Sequence, residues 1–75
     1  MTKQEKAVLE FLRSGDPFGE TAIVARVRGS SFVQTPMVLT ALEAKELVRL
    51  KMENQGRFYS ITPKGLEALN ATVAA

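Results

Sequence analysis

Apolar residues recur at helical spacing near the start of the chain and predict an amphipathic first helix. The apolar positions are Val8, Leu9, Phe11 and Leu12. This period predicts a helix from about residue 3 to residue 13. Thr2 and Glu5 have the spacing of a capping box, in which each side chain accepts a hydrogen bond from the backbone of the other residue. Ser14 and Gly15 are expected to end the helix.

A second helical pattern follows a turn at Asp16 and Pro17. Its apolar face consists of Ile23, Val24 and Val27. We expect this helix to begin at Gly19 or Glu20 and to end at Gly29.

The segment TPMVLTALEAKEL predicts a third helix at about residues 35–46. Thr35 suits the N-cap, because its side-chain oxygen can accept a hydrogen bond from a free backbone N–H. Pro36 suits the first helical position, where the missing N–H would have no partner anyway. The residues expected to face the core are Val38, Leu39 and Leu42.

The apolar period changes to two after the third helix and predicts a β-hairpin. In the first run apolar and basic residues alternate, as Val48, Arg49, Leu50, Lys51 and Met52. The second run is RFYSI at residues 57–61, and the turn between the runs is ENQG at residues 53–56. A two-stranded hairpin is only marginally stable alone, so it must lie against the helices. A short third strand near Phe18 could pair with it.

Thr62 and Pro63 repeat the cap signature of Thr35 and Pro36 and predict a fourth helix. The apolar stripe of this helix is Leu66, Leu69 and Val73. Two interpretations of the stripe stay open: it closes the domain's own core, or it forms a homodimer through the C-terminal helix. The order helix, helix, helix, hairpin, helix predicts a single α+β domain over residues 1–75.

The residue inventory argues against most catalytic and metal chemistry. The 75 residues include no cysteine and no histidine, so disulfides, thiolate nucleophiles and the commonest metal ligands are missing. Asp16 is the only aspartate and the glutamates are scattered, so no pair of carboxylates suggests acid–base catalysis. We therefore predict a binding protein with no catalytic residues, no metal site and no cofactor.

The charge and hydropathy patterns narrow the partners. The net charge is +2 and the pI about 9.3, so an anionic partner must be argued from where the charges lie. No apolar run is long enough to cross a membrane, and the N-terminus lacks the pattern of a signal peptide. We expect a cytoplasmic protein with no membrane partner.

The residues around the hairpin carry a family resemblance. They are Leu42, Glu43, Lys45, Leu47 and Val48 before it, and Tyr59, Ile61, Thr62 and Gly65 at its end. From about residue 19 to residue 69 the chain resembles the winged helix-turn-helix domains of MarR- and PadR-type bacterial transcriptional regulators. The resemblance implies a three-helix core, a two- to three-stranded β wing and a C-terminal helix. It also implies that Tyr59 is buried, which leaves Phe58 as the more exposed neighbour.

The resemblance further implies a small transcriptional regulator that binds double-stranded DNA, with its third helix in the major groove. Carried over by position, the major-groove residues are Gln34, Thr35, Met37, Thr40 and Ala41. Gln34 suits adenine, and a threonine or alanine methyl group suits the methyl group of thymine. The wing would touch the backbone or the minor groove. The wing residues expected to contact it are Arg49, Lys51, Asn54, Gln55 and Arg57.

Two positions depart from the family pattern. The third helix has no arginine or lysine before Lys45, so it lacks the side chain that most often reads guanine. Glu46 stands where the family usually has a glycine with positive φ at the helix end. We expect Glu46 either to be strained by about 1 kcal/mol or to shift the end of the helix.

An alternative function stays open for the same fold, namely a winged-helix module that binds another protein. Such a module would use Phe32, Met37 and Phe58, because apolar and methionine side chains suit adaptable protein contacts. The cations of the hairpin also have an alternative role, since charge protects an edge strand from aggregation. Likewise Arg26 and Arg28 suit the negative end of a helix dipole.

Overall fold

The order of elements along the chain is helix, strand, helix, helix, hairpin and helix, as the sequence predicts. The computed structural model describes residues 2–27, 29, 31–54 and 56–74, with side chains through residue 71. The helices are α1 (Lys3–Phe11), α2 (Glu20–Arg26), α3 (Gln34–Ala44) and α4 (Pro63–Ala74). The strands are β1 (Phe18–Gly19), β2 (Val48–Glu53) and β3 (Gly56–Ile61). No helix in the described part of the chain is both long and apolar enough to cross a bilayer.

The N-terminus of α1 has the predicted capping box. The Glu5 N–H donates to Thr2 Oγ1 at 3.1 Å, and the Thr2 N–H donates to Glu5 Oε1 at 2.8 Å. The helix ends at Phe11, two residues before the predicted end. The N–H of Arg13 donates to the carbonyl of Glu10 at 3.2 Å, a tighter bond than the helical one, and this closes the last turn.

Helix α2 ends at Arg26, three residues before the predicted end at Gly29. Val27 is extended, with φ −89° and ψ 119°, which directs its side chain into the core. Burial of Val27 therefore ends the helix before the glycine does. Gly29 has φ 82° and lies in the turn that follows.

The start of α3 corrects the predicted N-cap. The helix begins at Gln34, and Thr35 is its second residue and fully buried. The Ser31 side chain accepts the Gln34 N–H at 3.0 Å, and the Ser31 carbonyl accepts the Thr35 N–H at 2.9 Å. Pro36 still lies in the first turn, where its missing N–H leaves no hydrogen bond unmade. The helix ends at Ala44, two residues before the predicted residue 46.

The strands form one antiparallel sheet in the order β1-β3-β2, so the predicted third strand near Phe18 is confirmed. Phe18 pairs with Tyr59, and its ring lies 4.6 Å from the ring of Phe11 on α1. Leu50 pairs with Tyr59 in the hairpin. Tyr59 is buried and Phe58 is half-buried, as expected. The strand pairing therefore joins the hairpin to α1 through aromatic side chains.

Side chains from all four helices and the hairpin form one apolar core. The buried members are Val8, Leu9, Leu12, Ile23, Val27, Leu39, Leu42, Leu47, Val48, Tyr59 and Leu69. Val38 and Ile61 pack against this core and are half-buried. The packing of Leu69 agrees with the interpretation that the stripe of α4 closes the domain's own core. Val73, the third member of that stripe, lies outside the residues whose side chains the structure describes.

The end of α3 is a Schellman motif. The Leu47 N–H donates to the Leu42 carbonyl, and the Glu46 N–H donates to the Glu43 carbonyl, each at 2.9 Å. This motif needs a left-handed residue just after the helix, and Glu46 takes that conformation with φ 64°. The expected strain at Glu46 therefore has its geometric basis, because a side chain disfavours this region by about 1–2 kcal/mol.

The same turn is joined to the start of α4. The Thr62 hydroxyl donates to the Glu46 carbonyl at 2.7 Å and accepts the Gly65 N–H at 3.0 Å, which confirms Thr62 as a cap. The Thr62 N–H donates to the Leu47 carbonyl at 3.1 Å. A Cβ atom at Gly65 would overlap that carbonyl oxygen. Close backbone contact thus explains why α4 has glycine in its first turn.

Candidate nucleic-acid interface

The outer face of α3 exposes most of the residues predicted to enter the major groove. Gln34, Met37 and Thr40 are exposed, and Ala41 is half-buried. Thr35 is wrong as a contact residue, because its side chain is fully buried. In an α-helix a residue one position from an exposed one points about a quarter-turn away, and here that direction is into the core.

This outer face is almost entirely apolar. A depression on it is lined by Pro36, Met37, Thr40, Ala41 and Ala44. The Thr40 hydroxyl donates to the Pro36 carbonyl at 2.8 Å, so its hydrogen is committed to the helix backbone. Met37 is 70% exposed. The prediction omitted Pro36 and Ala44, although both lie four residues from Thr40 and hence on the same side of the helix.

The nearest cation after α3 is held by a carboxylate. Lys45 Nζ donates to Glu5 Oε2 at 2.8 Å, which joins the end of α3 to the start of α1. Glu5 is buried, and the Lys45 ammonium together with the Thr2 N–H holds the pKa of its carboxyl below the ordinary value. The charge of Lys45 is thus largely neutralised where it lies closest to α3.

The hairpin of β2 and β3, here called the wing, carries its cations on both faces. Pairing places Arg49 opposite Ser60 and Lys51 opposite Phe58, whereas Arg57 lies opposite Met52. Directly opposed residues share a face, and the face alternates along a strand. Arg49 and Lys51 therefore lie on one face of the wing, and Arg57 lies on the other.

The wing cations also differ in their ion pairs. Lys51 Nζ lies 3.3 Å from Glu53 Oε1, and both side chains are largely exposed. Arg49 and Arg57 are exposed, and neither has a carboxylate within salt-bridge distance among the residues that the structure describes. The two arginines are therefore the wing cations most available to an external anion.

Two further observations complete the wing. Asn54 is exposed in the turn, whereas Gln55, also predicted to contact DNA, lies outside the described residues. Arg57 lines a depression between β3 and α2 together with Arg26. Sequence reasoning treated Arg26 only as a helix-end charge, and the pairing of strands gave no signal that it would lie near Arg57. Arg28 lies outside the described residues.

An apolar surface precedes and overlaps the outer face of α3. Phe32 is 67% exposed and Val33 77% exposed, and Met37 lies one helical turn further on. Phe58, the third residue of the predicted protein-binding set, is half-buried and lies in the sheet. Large exposed side chains of this kind often mark contact sites in soluble proteins.

Comparison of the fold with solved structures identifies winged-helix regulators. PcaV, a transcriptional regulator from Streptomyces coelicolor, is similar with a TM-score of 0.84 at 20% identity, over 93% of this chain and 51% of that one. BpsR from Bordetella bronchiseptica is similar with a TM-score of 0.87 at 19% identity, over 99% and 53%. MepR from S. aureus, in complex with DNA, is similar with a TM-score of 0.85 at 18% identity, over 99% and 63%.

These similarities confirm the predicted α+β winged helix-turn-helix fold and the resemblance in fold to MarR-type regulators. No protein-family model matches the sequence, and no curated protein matches it either. The chain spans about half the length of PcaV and of BpsR. At sequence identities this low, shared structure is evidence of the fold, and function has to be argued from the site.

Proposed function

We propose that this chain binds double-stranded DNA and acts as the DNA-binding part of a transcriptional regulator. One observation carries the proposal: Arg49 and Arg57 are exposed and unpaired among the described residues, on the wing of a fold shared with MepR in its DNA complex. Phosphate contacts from such side chains supply most of the affinity of a protein for DNA. We place this activity in the cytoplasm and propose no catalytic step and no cofactor.

In the proposed complex α3 enters the major groove and the wing lies on the backbone. Gln34, Met37, Thr40 and Ala41 would then meet base edges, because they form the exposed side of α3. Arg49, Lys51, Asn54 and Arg57 would contact phosphates. Cations on both faces of the wing suit a hairpin that lies between two phosphate chains.

A homodimer through α4 is a further part of the proposal, since paired subunits suit a palindromic site. Leu66 is half-buried and is the apolar α4 residue left for such a contact, because Leu69 is buried in this chain's own core. Sedimentation equilibrium with and without a duplex measures the oligomeric state. A monomer under both conditions would contradict the dimer and leave DNA binding intact.

The test of DNA binding is a titration of isotope-labelled protein with a mixed-sequence duplex at low salt, followed by amide shifts. We expect shifts in α3 and in the wing, and an affinity that falls steeply as salt is added. Absence of binding at low salt would rule out the proposal. A matched titration with an uncharged oligosaccharide controls for non-specific effects on the amides.

A second candidate is a winged-helix module that binds another protein. The exposure of Phe32, Val33 and Met37 favours it, because a surface that reads DNA usually has fewer large apolar side chains. The same titration separates the two functions. Shifts confined to the wing, with α3 amides unmoved, would favour the protein-binding candidate.

A further inference from the structure

The exposed side chains of α3 have little capacity to donate hydrogen bonds to bases. Between residues 34 and 44 there is no arginine or lysine, and the Thr35 hydroxyl is buried. The Thr40 hydroxyl hydrogen is already donated to the Pro36 carbonyl. Gln34 is therefore the remaining side-chain donor on the exposed face. Guanine presents two acceptors in the major groove and needs donors to be recognised, so α3 is poorly suited to it.

The same face offers apolar groups in place of donors. Met37, the methyl group of Thr40, Ala41 and Ala44 line one depression on the outer side of α3. The only apolar group that a base pair of ordinary DNA presents in the major groove is the C5-methyl group of thymine. Glu43 is the one charged residue of α3, and it lies near the C-terminus, away from the N-terminal residues that usually meet base edges.

We propose that α3 selects DNA by burying C5-methyl groups in this depression, so that the chain prefers thymine-containing duplexes and also responds to cytosine C5-methylation. This inference rests on the proposed DNA binding. The occupant is a duplex because the wing that follows α3 carries the unpaired charges of Arg49 and Arg57, which complement phosphates rather than an apolar protein surface.

The test compares duplexes that differ only in methyl groups. Affinity at low salt is measured for an alternating A·T duplex and for the same duplex with deoxyuridine in place of thymidine. The two have the same phosphate spacing and the same hydrogen-bonding groups. Burial of a methyl group contributes enough free energy for about a fourfold change in affinity, so we expect at least that preference for the thymidine duplex. An alternating G·C duplex should bind more tightly after C5-methylation of its cytosines.

Two substitutions at Thr40 locate the effect on α3. Thr40→Val keeps the methyl group and removes the hydroxyl, so it should retain the preference for thymidine over deoxyuridine. Thr40→Ser keeps the hydroxyl and removes the methyl group, so it should reduce the preference by about twofold or more. Because position 40 is exposed, both variants are expected to fold.

The outcomes separate this inference from the function on which it rests. Binding of thymidine and deoxyuridine duplexes with equal affinity would overturn methyl recognition and leave DNA binding standing. An equal preference in the wild type and in Thr40→Ser would also overturn it. Failure to bind any duplex at low salt would overturn both proposals, and a preference lost only in Thr40→Ser would support both.

Discussion

The outer face of α3 and the wing follow one another in the chain but have contrasting chemistry. The outer face of α3 is apolar around Met37 and Thr40, and the nearest cation, Lys45, is paired with Glu5. The wing exposes Arg49 and Arg57 without a carboxylate partner among the described residues. The contrast suggests a division of roles, in which the wing supplies attraction to phosphates and α3 supplies discrimination among bases.

The two regions also differ in what holds them in place. The wing is fixed at its base, because the Thr62 hydroxyl bonds to the Glu46 carbonyl and Gly65 packs against the Leu47 carbonyl. The outer face of α3 contacts nothing in this chain and is positioned only by its buried side. Changes at the base should therefore act on stability, and changes on either exposed surface should act on binding.

The largest expected effect comes from Gly65→Ala, which disrupts the support of the wing. The added Cβ would overlap the Leu47 carbonyl oxygen, a backbone atom that accepts the Thr62 N–H and cannot move freely. Overpacking of this kind costs about 3 kcal/mol in the free energy of unfolding. Urea titration followed by circular dichroism and by the fluorescence of Tyr59, the single tyrosine, measures it.

Gly19→Ala is the matched control for this change. A Cβ atom there would lie 3.7 Å from the Phe58 ring, an ordinary contact distance. We expect it to change the free energy of unfolding by less than about 1 kcal/mol. Equal stability of the two variants would contradict the close packing assigned to Gly65.

The next effect removes the free charge of the wing. Arg49→Ala combined with Arg57→Ala should weaken binding to any duplex by about thirtyfold at low salt, near 2 kcal/mol. Loss of two phosphate contacts should also reduce the slope of log affinity against log salt by about 2. Fluorescence anisotropy across a range of salt concentrations measures both quantities.

The control for this pair is Lys51→Ala combined with Glu53→Ala. It removes an exposed ion pair and leaves the net charge unchanged, so affinity should stay within about threefold of the wild type. A loss as large as that of the arginine variant would show that ion pairing does not distinguish the wing cations.

A smaller effect concerns the ion pair that neutralises Lys45. The pKa of Glu5 is lowered by the hydrogen bond from Lys45 and by the Thr2 N–H, so ionised Glu5 stabilises the folded state. This contribution is complete above about pH 4.5 and is lost as the pH falls through the lower pKa of the folded state. Glu5→Gln should cost about 1–2 kcal/mol at neutral pH, because it removes a charge-assisted hydrogen bond.

Urea titrations from neutral to acidic pH check this prediction. The difference between the wild type and Glu5→Gln should shrink as the pH falls below about 4.5. Glu10→Gln, on the exposed side of the same helix, should change the free energy of unfolding by less than about 0.5 kcal/mol at neutral pH. A difference between the wild type and Glu5→Gln that does not depend on pH would contradict the role of the ionised carboxylate.

The smallest effect is a gain in stability at Glu46, the residue between α3 and the wing. Glu46→Gly relieves a left-handed backbone conformation and should stabilise the protein by about 0.5–1 kcal/mol, after the extra chain entropy of glycine is subtracted. It also removes an exposed ion pair to Lys64, with 3.7 Å between the charged atoms, which contributes little. Thermal and urea unfolding measure the gain.

Glu46→Ala provides the comparison for this change. It removes the same ion pair and keeps the disfavoured conformation, so it should show no gain. If the alanine and glycine variants were equally stable, the backbone conformation of Glu46 would not be strained.

The sequence by itself determined the features that depend on residues close together in the chain. The capping box of Thr2 and Glu5, the cap at Thr62 and the alternation of the hairpin were all predicted, because each depends on spacings of two to four residues. The positive φ of Glu46 was predicted as well, since the resemblance placed a glycine at that helix end. These local rules account for most of the fold.

Only the tertiary structure decided which predicted site residues are available to a partner. Thr35 had the composition of a cap but is buried, because packing of α3 selected Ser31 for that role. Lys45 is occupied by Glu5, a residue 40 positions away, and no local pattern predicts that distance. Strand pairing separated Arg49 from Arg57 onto opposite faces of the wing. Burial, ion pairing and the choice of face depend on contacts between distant segments, and those contacts exist only in the folded chain.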